Sequence, residues 1–326
     1  MHGGGVSASL ARLSAPRAAV VAACVLTAAL GWEIFSLPFV FYRTFLLDRK
    51  YGLTSEPLAA WCADHVKALA LGLAFSSIAG LTIYGTMALW PRAWWLAAAA
   101  AFGLAGIALS RVAPVLLMPL FYRFRPLDRE ALHERLVHLS QQAGVRVLGA
   151  FEWGLGEKTT RANAALVGAG ATRRILVSDT LLKDYTDDEI EVILAHEIGH
   201  HVNRDLWSAL ALEVAVVTVA LLAAHFAVTG AGYAISDLTA LPLLLLAAGA
   251  VSLLMTPVVH AWSRHSERRA DRFALDLTGR PAAFISAMRR LGAQNLAEEH
   301  PAPLVLWFFH THPPIEERIA AAKQRT

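Results

Sequence analysis

The chain has 326 residues, 56% hydrophobic and only 17% charged, with a mean hydropathy of +0.46. Soluble globular chains run near 25% charged and about 45–50% apolar. This composition therefore excludes a simple soluble enzyme, a disordered segment and a small disulfide-stapled domain. Cys24 and Cys62 supply neither a disulfide framework nor a metal cluster. The net charge is +3 and the isoelectric point near 9.0, but no basic run is long enough to track a phosphate backbone. The basic residues read as membrane topology, not as nucleic-acid binding.

A hydrocarbon core of about 30 Å needs about 20 apolar helical residues, and five stretches meet or approach that length. The first runs from Ala18 to about Tyr42, with Glu33 inside it. Arg12 and Arg17 ahead of an apolar run give it the look of a signal peptide, but the stretch resumes beyond Glu33 through SLPFVFY, so an uncleaved helix is expected. The second spans Ala68–Trp90 and the third Ala93 to about Leu117, with Arg111 inside it. Pro91 and Arg92 form a turn between them, and Trp90, Trp94 and Trp95 act as interface anchors. The fourth runs from Leu206 to about Ser236, carrying Glu213 and His225, and the fifth from Leu238 to about Val259.

The expected organisation is an N-terminal tail (1–17), about three membrane helices within 18–122 with a polar linker at 43–67, and an α+β lobe over 123–205. A membrane hairpin (206–259) and a C-terminal polar segment (260–326) follow. The polar pieces emerge on one side. Near the membrane that side carries Arg43, Arg49, Lys50, Lys67, Arg123, Arg125, Arg129, Arg204, Arg264, Arg268, Arg269 and Arg272; the other has Arg12, Arg17 and Arg92. Arg12 and Arg17 alone would reverse the chain, but the larger count puts the polar lobes in the cytoplasm.

Within 123–205, DREALHERLVHLSQQAG (128–144) has apolar residues at 132, 136, 139 and 143, a helical period ended by Gly144. VRVLGAFEW (145–153) and KTTRANAALVG (158–168) read as strands. RRILVSDTLL (173–182) reads as another strand followed by a turn. Asp187 can cap a helix through about Arg204, with Ile190, Ile193, Leu194 and Ile198 on one face.

That helix carries AHEIGHH (195–201). His196 and His200 are four apart, so both rings can reach one metal, and Glu197 beside them can take a proton from a water the metal activates. Zinc suits the set: it binds imidazole, tolerates an open position and polarises carbonyls. His201 reads as a surface or interface histidine. A third ligand must come from elsewhere, and HAWSRHSERRADRFALDLTG (260–279) places Glu267 and Asp271 on one helical face. Glu267 could ligate while Asp271 accepts a hydrogen bond from a ligating imidazole. Alternatively both pair with the nearby arginines in an exposed helix start, and His260 and His265 are rival ligands. In FFHTHPPIEERI (308–319), Pro313 and Pro314 fix an extended segment before a helix from about Ile315. His312 is thereby held rigidly and could stabilise an oxyanion, while Arg318 could hold acidic site residues or a peptide carboxylate.

Taken together, the segments LPFVFYRTFLLDRKYGL, VAPVLLMPLFYRFRPL, TTRANAALVG, ILVSDTLL, LAHEIGHHVNRD, SRHSERRADRFAL and HPPIEERI resemble, in order, the integral-membrane zinc metallopeptidases typified by the type-1 CAAX prenyl protease (peptidase family M48, Ste24-like). The resemblance covers the chain from about residue 32 onward. Only the HEIGH segment is common to many metallopeptidases. The resemblance implies a multi-pass α-helical membrane bundle with a small cytoplasm-facing α+β zincin-like metallopeptidase lobe. It implies one Zn²⁺ per chain on His196, His200 and Glu267, with Glu197 as catalytic base and Asp271 as the acid beside the ligands. Asn163 with Ala164 would align substrate as an added strand, and His312 and Arg318 would line the cleft.

The chain is shorter than eukaryotic members, as a bacterial-type member would be, and is expected to lack an N-terminal membrane helix before the LPF segment. The function expected is a zinc-dependent membrane metalloendopeptidase of the bacterial inner membrane. Its substrates would be peptides or membrane proteins with an apolar or lipidated portion. Prenyl-peptide processing and membrane-protein quality control both stay open. The alternative of another class is a scaffold or transporter-like protein with a structural metal. It is motivated by Glu33, Arg111 and Glu213, of which at least two are expected to line a watery interior.

Overall fold

The computed structural model describes residues 16–168, 170–298 and 300–325; the tail expected over 1–17 lies almost wholly outside them. In chain order the elements are α1 (Arg17–Phe41), α2 (Leu58–Leu89), α3 (Trp94–Val112), β1 (Phe124–Pro126), α4 (Glu130–Gln142), β2 (Ala150–Trp153) and β3 (Ala164–Val167). They continue with β4 (Arg174–Ser178), α5 (Asp179–Asp184), α6 (Asp187–Val202), α7 (Asp205–Gly230), α8 (Leu241–Thr278), α9 (Pro281–Gln294), α10 (Pro303–Phe309) and α11 (Ile315–Lys323). The chain divides into two compact units. One comprises Met1–Asp48, Pro57–Ile107 and Leu210–Met255, the other Arg49–Glu56, Ala108–Ala209 and Thr256–Thr326.

Among the described residues, five helical stretches are long and apolar enough to cross a membrane: Arg17–Lys50, Leu58–Leu89, Trp94–Leu120, Asp205–Gly230 and Leu238–Thr278. The protein is a multi-pass helical membrane bundle with a small mixed α+β lobe. The first and third spans include wider-wound turns at Tyr42–Leu47 and Ala113–Leu117, following or containing a proline at 38 or 114, where a missing N–H loosens the helical ladder.

Several boundaries differ from the sequence expectation. Of the linker at 43–67, only 51–57 lie outside helix, and α2 starts ten residues before Ala68. Asp64 and Lys67 end the apolar run without ending the helix; they pair with each other one turn apart. The helices expected at 238–259 and 260–279 are one continuous helix, α8, which tolerates Pro257 inside it. The fourth segment stops at Gly230, six residues early, where the chain turns through Gly232 at a φ of +82°. After β4 the expected turn is the short helix α5, capped by Ser178, whose side chain accepts from the Leu181 N–H.

In the membrane unit Val21, Tyr84, Met87, Trp94, Ala98, Leu221, Ala224 and Val228 are buried together. Trp94 is fully buried and donates from Nε1 to His225 Nδ1 at 3.0 Å. Glu33 on α1 meets His65 on α2, Oε1 to Nε2 at 2.7 Å, and the His65 ring stacks on Trp61 with centroids 4.9 Å apart. Both residues border an apolar cavity of about 1020 Å³ walled by α1, α2 and α8. Of the three intramembrane charges, Glu33 therefore lines a cavity, while Arg111 and Glu213 are exposed and border none of the described ones.

In the other unit the sheet order is β1-β2-β4-β3, with β2 and β4 parallel and the outer pairs antiparallel. One sheet face packs Ile175 and Val177 against Leu132 and Leu136 of α4 and Ile190 and Leu194 of α6. The other face packs Trp153, Leu155 and Leu176 against Met118, Tyr122 and Phe124. β3 is an edge strand. Its approach is pinned to the 51–57 segment: Thr160 N–H donates to the Leu53 carbonyl at 3.0 Å, and Thr54 Oγ1 to the Lys158 carbonyl at 2.6 Å.

Candidate metal centre and cleft

Helix α6 begins at a capping box. Thr186, not Asp187, is the cap: its hydroxyl accepts from the Glu189 N–H, and Glu189 accepts from the Thr186 N–H. From that start the periodicity buries Ile190, Leu194 and Ile198 fully. His196 and His200 then lie on the face turned to α8.

The structure brings His196, His200 and Glu267 together, one ligand atom of each within 4.8 Å of the others. The two Nε2 atoms are 3.1 Å apart. Glu267 Oε2 is 3.3 Å from His196 Nε2, and Oε1 is 3.3 Å from His200 Nε2. With bonds of about 2.0–2.1 Å, the ligand atoms of a tetrahedral zinc site stand about 3.3 Å apart, so this triplet has the edge lengths such a site needs. Glu267 Oε2 is buried with no hydrogen-bond partner, an arrangement a cation repays. The donor set of two imidazoles and a carboxylate fits zinc with an open position for substrate or water.

The far nitrogens are both occupied. His196 Nδ1 donates to Asp271 Oδ1 at 2.9 Å, and Arg318 donates to both Asp271 oxygens, at 2.8 and 2.6 Å. His200 Nδ1 donates to Asp205 Oδ2 at 2.8 Å, and Asp205 Oδ1 takes Arg269. Carboxylates only accept here, so Nδ1 of each ring carries a proton, and in the neutral form that binds a metal the Nε2 lone pair is the one presented. Burial opposes charging of His196, but the hydrogen bonds to Asp271 and Glu267 outweigh it and its pKa stands at about 9. Burial raises the Glu197 carboxyl, with the neighbouring Glu267 adding and the histidines and Arg318 opposing.

A cleft of about 330 Å³ reaches His196 and Glu267 of the triplet, bordered by Ala162, Asn163 and Ala164 on the edge-strand side and by Glu197, His310 and His312. Asn163 sits one residue before β3: its N–H donates to Ser178 Oγ and its carbonyl accepts from the Ser178 N–H, both at 2.9 Å. Its side chain is exposed. His312 Nε2 lies 3.4 Å from Glu267 Oε1, with a side chain 61% exposed toward the cleft mouth. Desolvation by the cleft walls, with Arg318, His196 and His200 nearby, lowers its pKa against the pull of Glu267. Arg318 is committed to Asp271 and buried, so of the two roles open to it, holding an acidic site residue is the one its position provides. His201 and His265 are exposed and, with His260, stand outside the triplet.

Three residues have a role at this site that the sequence does not assign to them. Asp205 and Arg269 complete the His200 side. Arg264, buried on α8, donates to the Leu306 and His310 carbonyls at 2.9 and 2.7 Å and so anchors the segment leading to His312.

The profile of Peptidase family M48 matches residues 126–326, more than half the chain. The chain belongs to peptidase family M48. Residues 6–123 match the profile described as CAAX prenyl protease N-terminal, five membrane helices; over that stretch the described residues hold three membrane-length helices. Among family relatives, an uncharacterized metalloprotease, YhfN, of Bacillus subtilis is 31% identical over 84% of this chain and 66% of its own length. A probable CAAX prenyl protease 1 of Schizosaccharomyces pombe is 28% identical over 90% of this chain and 64% of its own. A protease HtpX homolog of Polaromonas naphthalenivorans is 32% identical over 55% of this chain and 65% of its own. The chain thus spans about two thirds of the length of these relatives. In fold it is similar to the crystal structure of S. mikatae Ste24p, with a TM-score of 0.86 and 21% identity over 97% of this chain and 80% of that one.

Proposed function

We propose that this M48 chain is a zinc-dependent membrane metalloendopeptidase, with His196, His200 and Glu267 as ligands of one Zn²⁺. The observation that carries the reading is the triplet of ligand atoms at tetrahedral spacing, two of whose residues, His196 and Glu267, line one cleft with Glu197 and the edge-strand residues Asn163 and Ala164. Zinc bound there supplies Lewis acidity, activating a water and polarising the scissile carbonyl. An extended peptide adds to the free edge of β3, where the backbone and the Asn163 amide hold it in register across the cleft. The Glu197 carboxylate takes a proton from the attacking water and returns it to the departing amide nitrogen. His312 donates from its ring N–H to the oxygen that gains charge. Asp271, clamped by Arg318, keeps the His196 proton on Nδ1.

The substrates are peptides or membrane proteins with an apolar or lipidated portion. Two observations support this class: relatives bear the name CAAX prenyl protease, and the membrane unit holds an apolar cavity of about 1020 Å³. The excess of Lys and Arg beside the polar segments supports a cytoplasmic location for the cleft in a bacterial inner membrane.

The test uses purified full chain and one peptide supplied with and without a farnesyl group on its cysteine, beside a peptide from a membrane-helix terminus. Cleavage should vanish with chelator and return with zinc. Glu197→Gln should keep stoichiometric zinc while losing about 10²–10⁴-fold in turnover. A Glu197→Gln protein as fast as the parent refutes the mechanism, and equal slow cleavage of all three peptides refutes the apolar anchor. Stoichiometric zinc with no hydrolysis of any peptide would favour a structural metal.

A further inference from the structure

Both metal-facing histidines present Nε2, so the partner of each Nδ1 decides how firmly the ring is held. His196 has Asp271. His200 has Asp205, the first residue of α7, which is 6% exposed. A helix continuing from His200 would carry residue 205 about 140° around the axis, away from the ring. Instead α6 ends at Val202, and the chain turns through Asn203 and Arg204, whose φ of +58° lies in the left-handed region that non-glycine residues rarely adopt. That turn brings Asp205 back to His200.

Both Asp205 oxygens are then used, Oδ2 by His200 and Oδ1 by Arg269 from α8. The side chain is not acting as a simple acidic helix start. We propose that Asp205 and Arg269 are positioning residues of the metal centre. They fix the tautomer and ring plane of His200, and they make metal affinity depend on the turn that opens membrane helix α7. The inference rests on the zinc reading above.

Zinc affinity is measured on detergent-solubilised full chain by competition with a chromophoric chelator. Circular dichroism and melting of the metal-stripped proteins report folding separately. Asp205→Asn should bind zinc about 10–100-fold more weakly, and Asp205→Glu should recover part of the loss. Arg269→Gln should weaken binding in the same direction. A folded Asp205→Asn protein that binds within twofold of the parent overturns the proposal. If Asp205→Asn does not fold, Arg269→Gln decides, and unchanged affinity in it overturns the proposal as well. A parent chain that takes up no zinc overturns the zinc reading itself, and this inference with it.

Discussion

Gly199 lies between the two histidines on α6, where that helix crosses α8. A Cβ at this position would stand 3.1 Å from Ala270 Cα, 3.2 Å from the Ala270 carbonyl oxygen and 3.2 Å from Phe273 Cδ1. The two closest are backbone atoms of the facing helix and cannot rotate away. Restoring an ordinary contact of about 3.6 Å requires the helices to part by roughly 0.4–0.5 Å. The metal centre spans the same crossing, with His196 and His200 on α6 and Glu267 three residues before Ala270 on α8. Metal sites tolerate ligand displacements of only about 0.2 Å. Gly199→Ala should therefore open the His–Glu separations beyond what zinc accepts. Overpacking costs about 1–3 kcal/mol, and replacing a mid-helix glycine by alanine returns about 1 kcal/mol. The expected outcome is a chain up to about 2 kcal/mol less stable, with zinc affinity reduced about 10-fold or more, at least the loss that follows removal of a ligand's outer hydrogen-bond partner. Chelator competition and thermal melting of the metal-stripped protein read the two effects separately. A variant about 1 kcal/mol more stable than the parent, binding zinc equally well, would show only the helix-propensity gain and refute the reasoning.

Three further outcomes are expected. Glu189 is buried, and although burial alone would raise its pKa, hydrogen bonds from Ser286 and from the Thr186 N–H and hydroxyl, with Arg290 nearby, hold it below the ordinary carboxylate value. Its contribution is then present above the unfolded pKa of about 4.3 and lost as pH falls through the lower folded value. Melting of Glu189→Gln against the parent should show a constant deficit at neutral pH that shrinks below about pH 4; a deficit that grows on acidification contradicts this. Arg318→Ala strands a buried Asp271 carboxylate and should cost about 3–5 kcal/mol, so a loss under about 1 kcal/mol would show the pair to be dispensable. Asn163→Ala removes one substrate hydrogen bond worth about 0.5–1.5 kcal/mol; it should raise KM several-fold with little change in kcat, and an unchanged KM argues against strand addition at β3.

The sequence made local features legible and missed those that depend on a turn or a crossing. The HExxH spacing needs only a helix, and Ile190, Ile193, Leu194 and Ile198 announce one. Five apolar runs announce five spans because hydrocarbon thickness fixes their length. Their ends are not legible because charge marks where lipid stops, and helices do not stop there: α2 begins at Leu58 and α8 continues to Thr278. Asp205 could not be placed because its role depends on Arg204 adopting a positive φ, for which an arginine gives no signal. Arg264 read as one more cation on an ion-paired face, yet its guanidinium goes to two carbonyls brought near by α10. Gly199 is informative only once α8 lies across it.

The charges around the metal centre explain why so many acids can gather in so small a volume. Glu197, Glu267, Asp271 and Asp205 surround the two histidines, and Arg318 and Arg269 are the guanidiniums committed to them. With neutral imidazoles, four carboxylates against two guanidiniums leave two negative charges, which is the deficit one divalent cation cancels. The rise of His196 to about 9 belongs to the same imbalance, since Asp271 at Nδ1 and then Glu267 at Nε2 favour a positive ring against the opposing effect of burial. Each arginine binds an outer carboxylate and leaves the inner pair, Glu197 and Glu267, to the centre itself. An arginine donating squarely to Glu267 would satisfy the charge and occupy the ligand position; Arg318 stops 3.9 Å short of it. The guanidiniums thus sit where they hold the imidazoles in orientation without competing for the place of the metal.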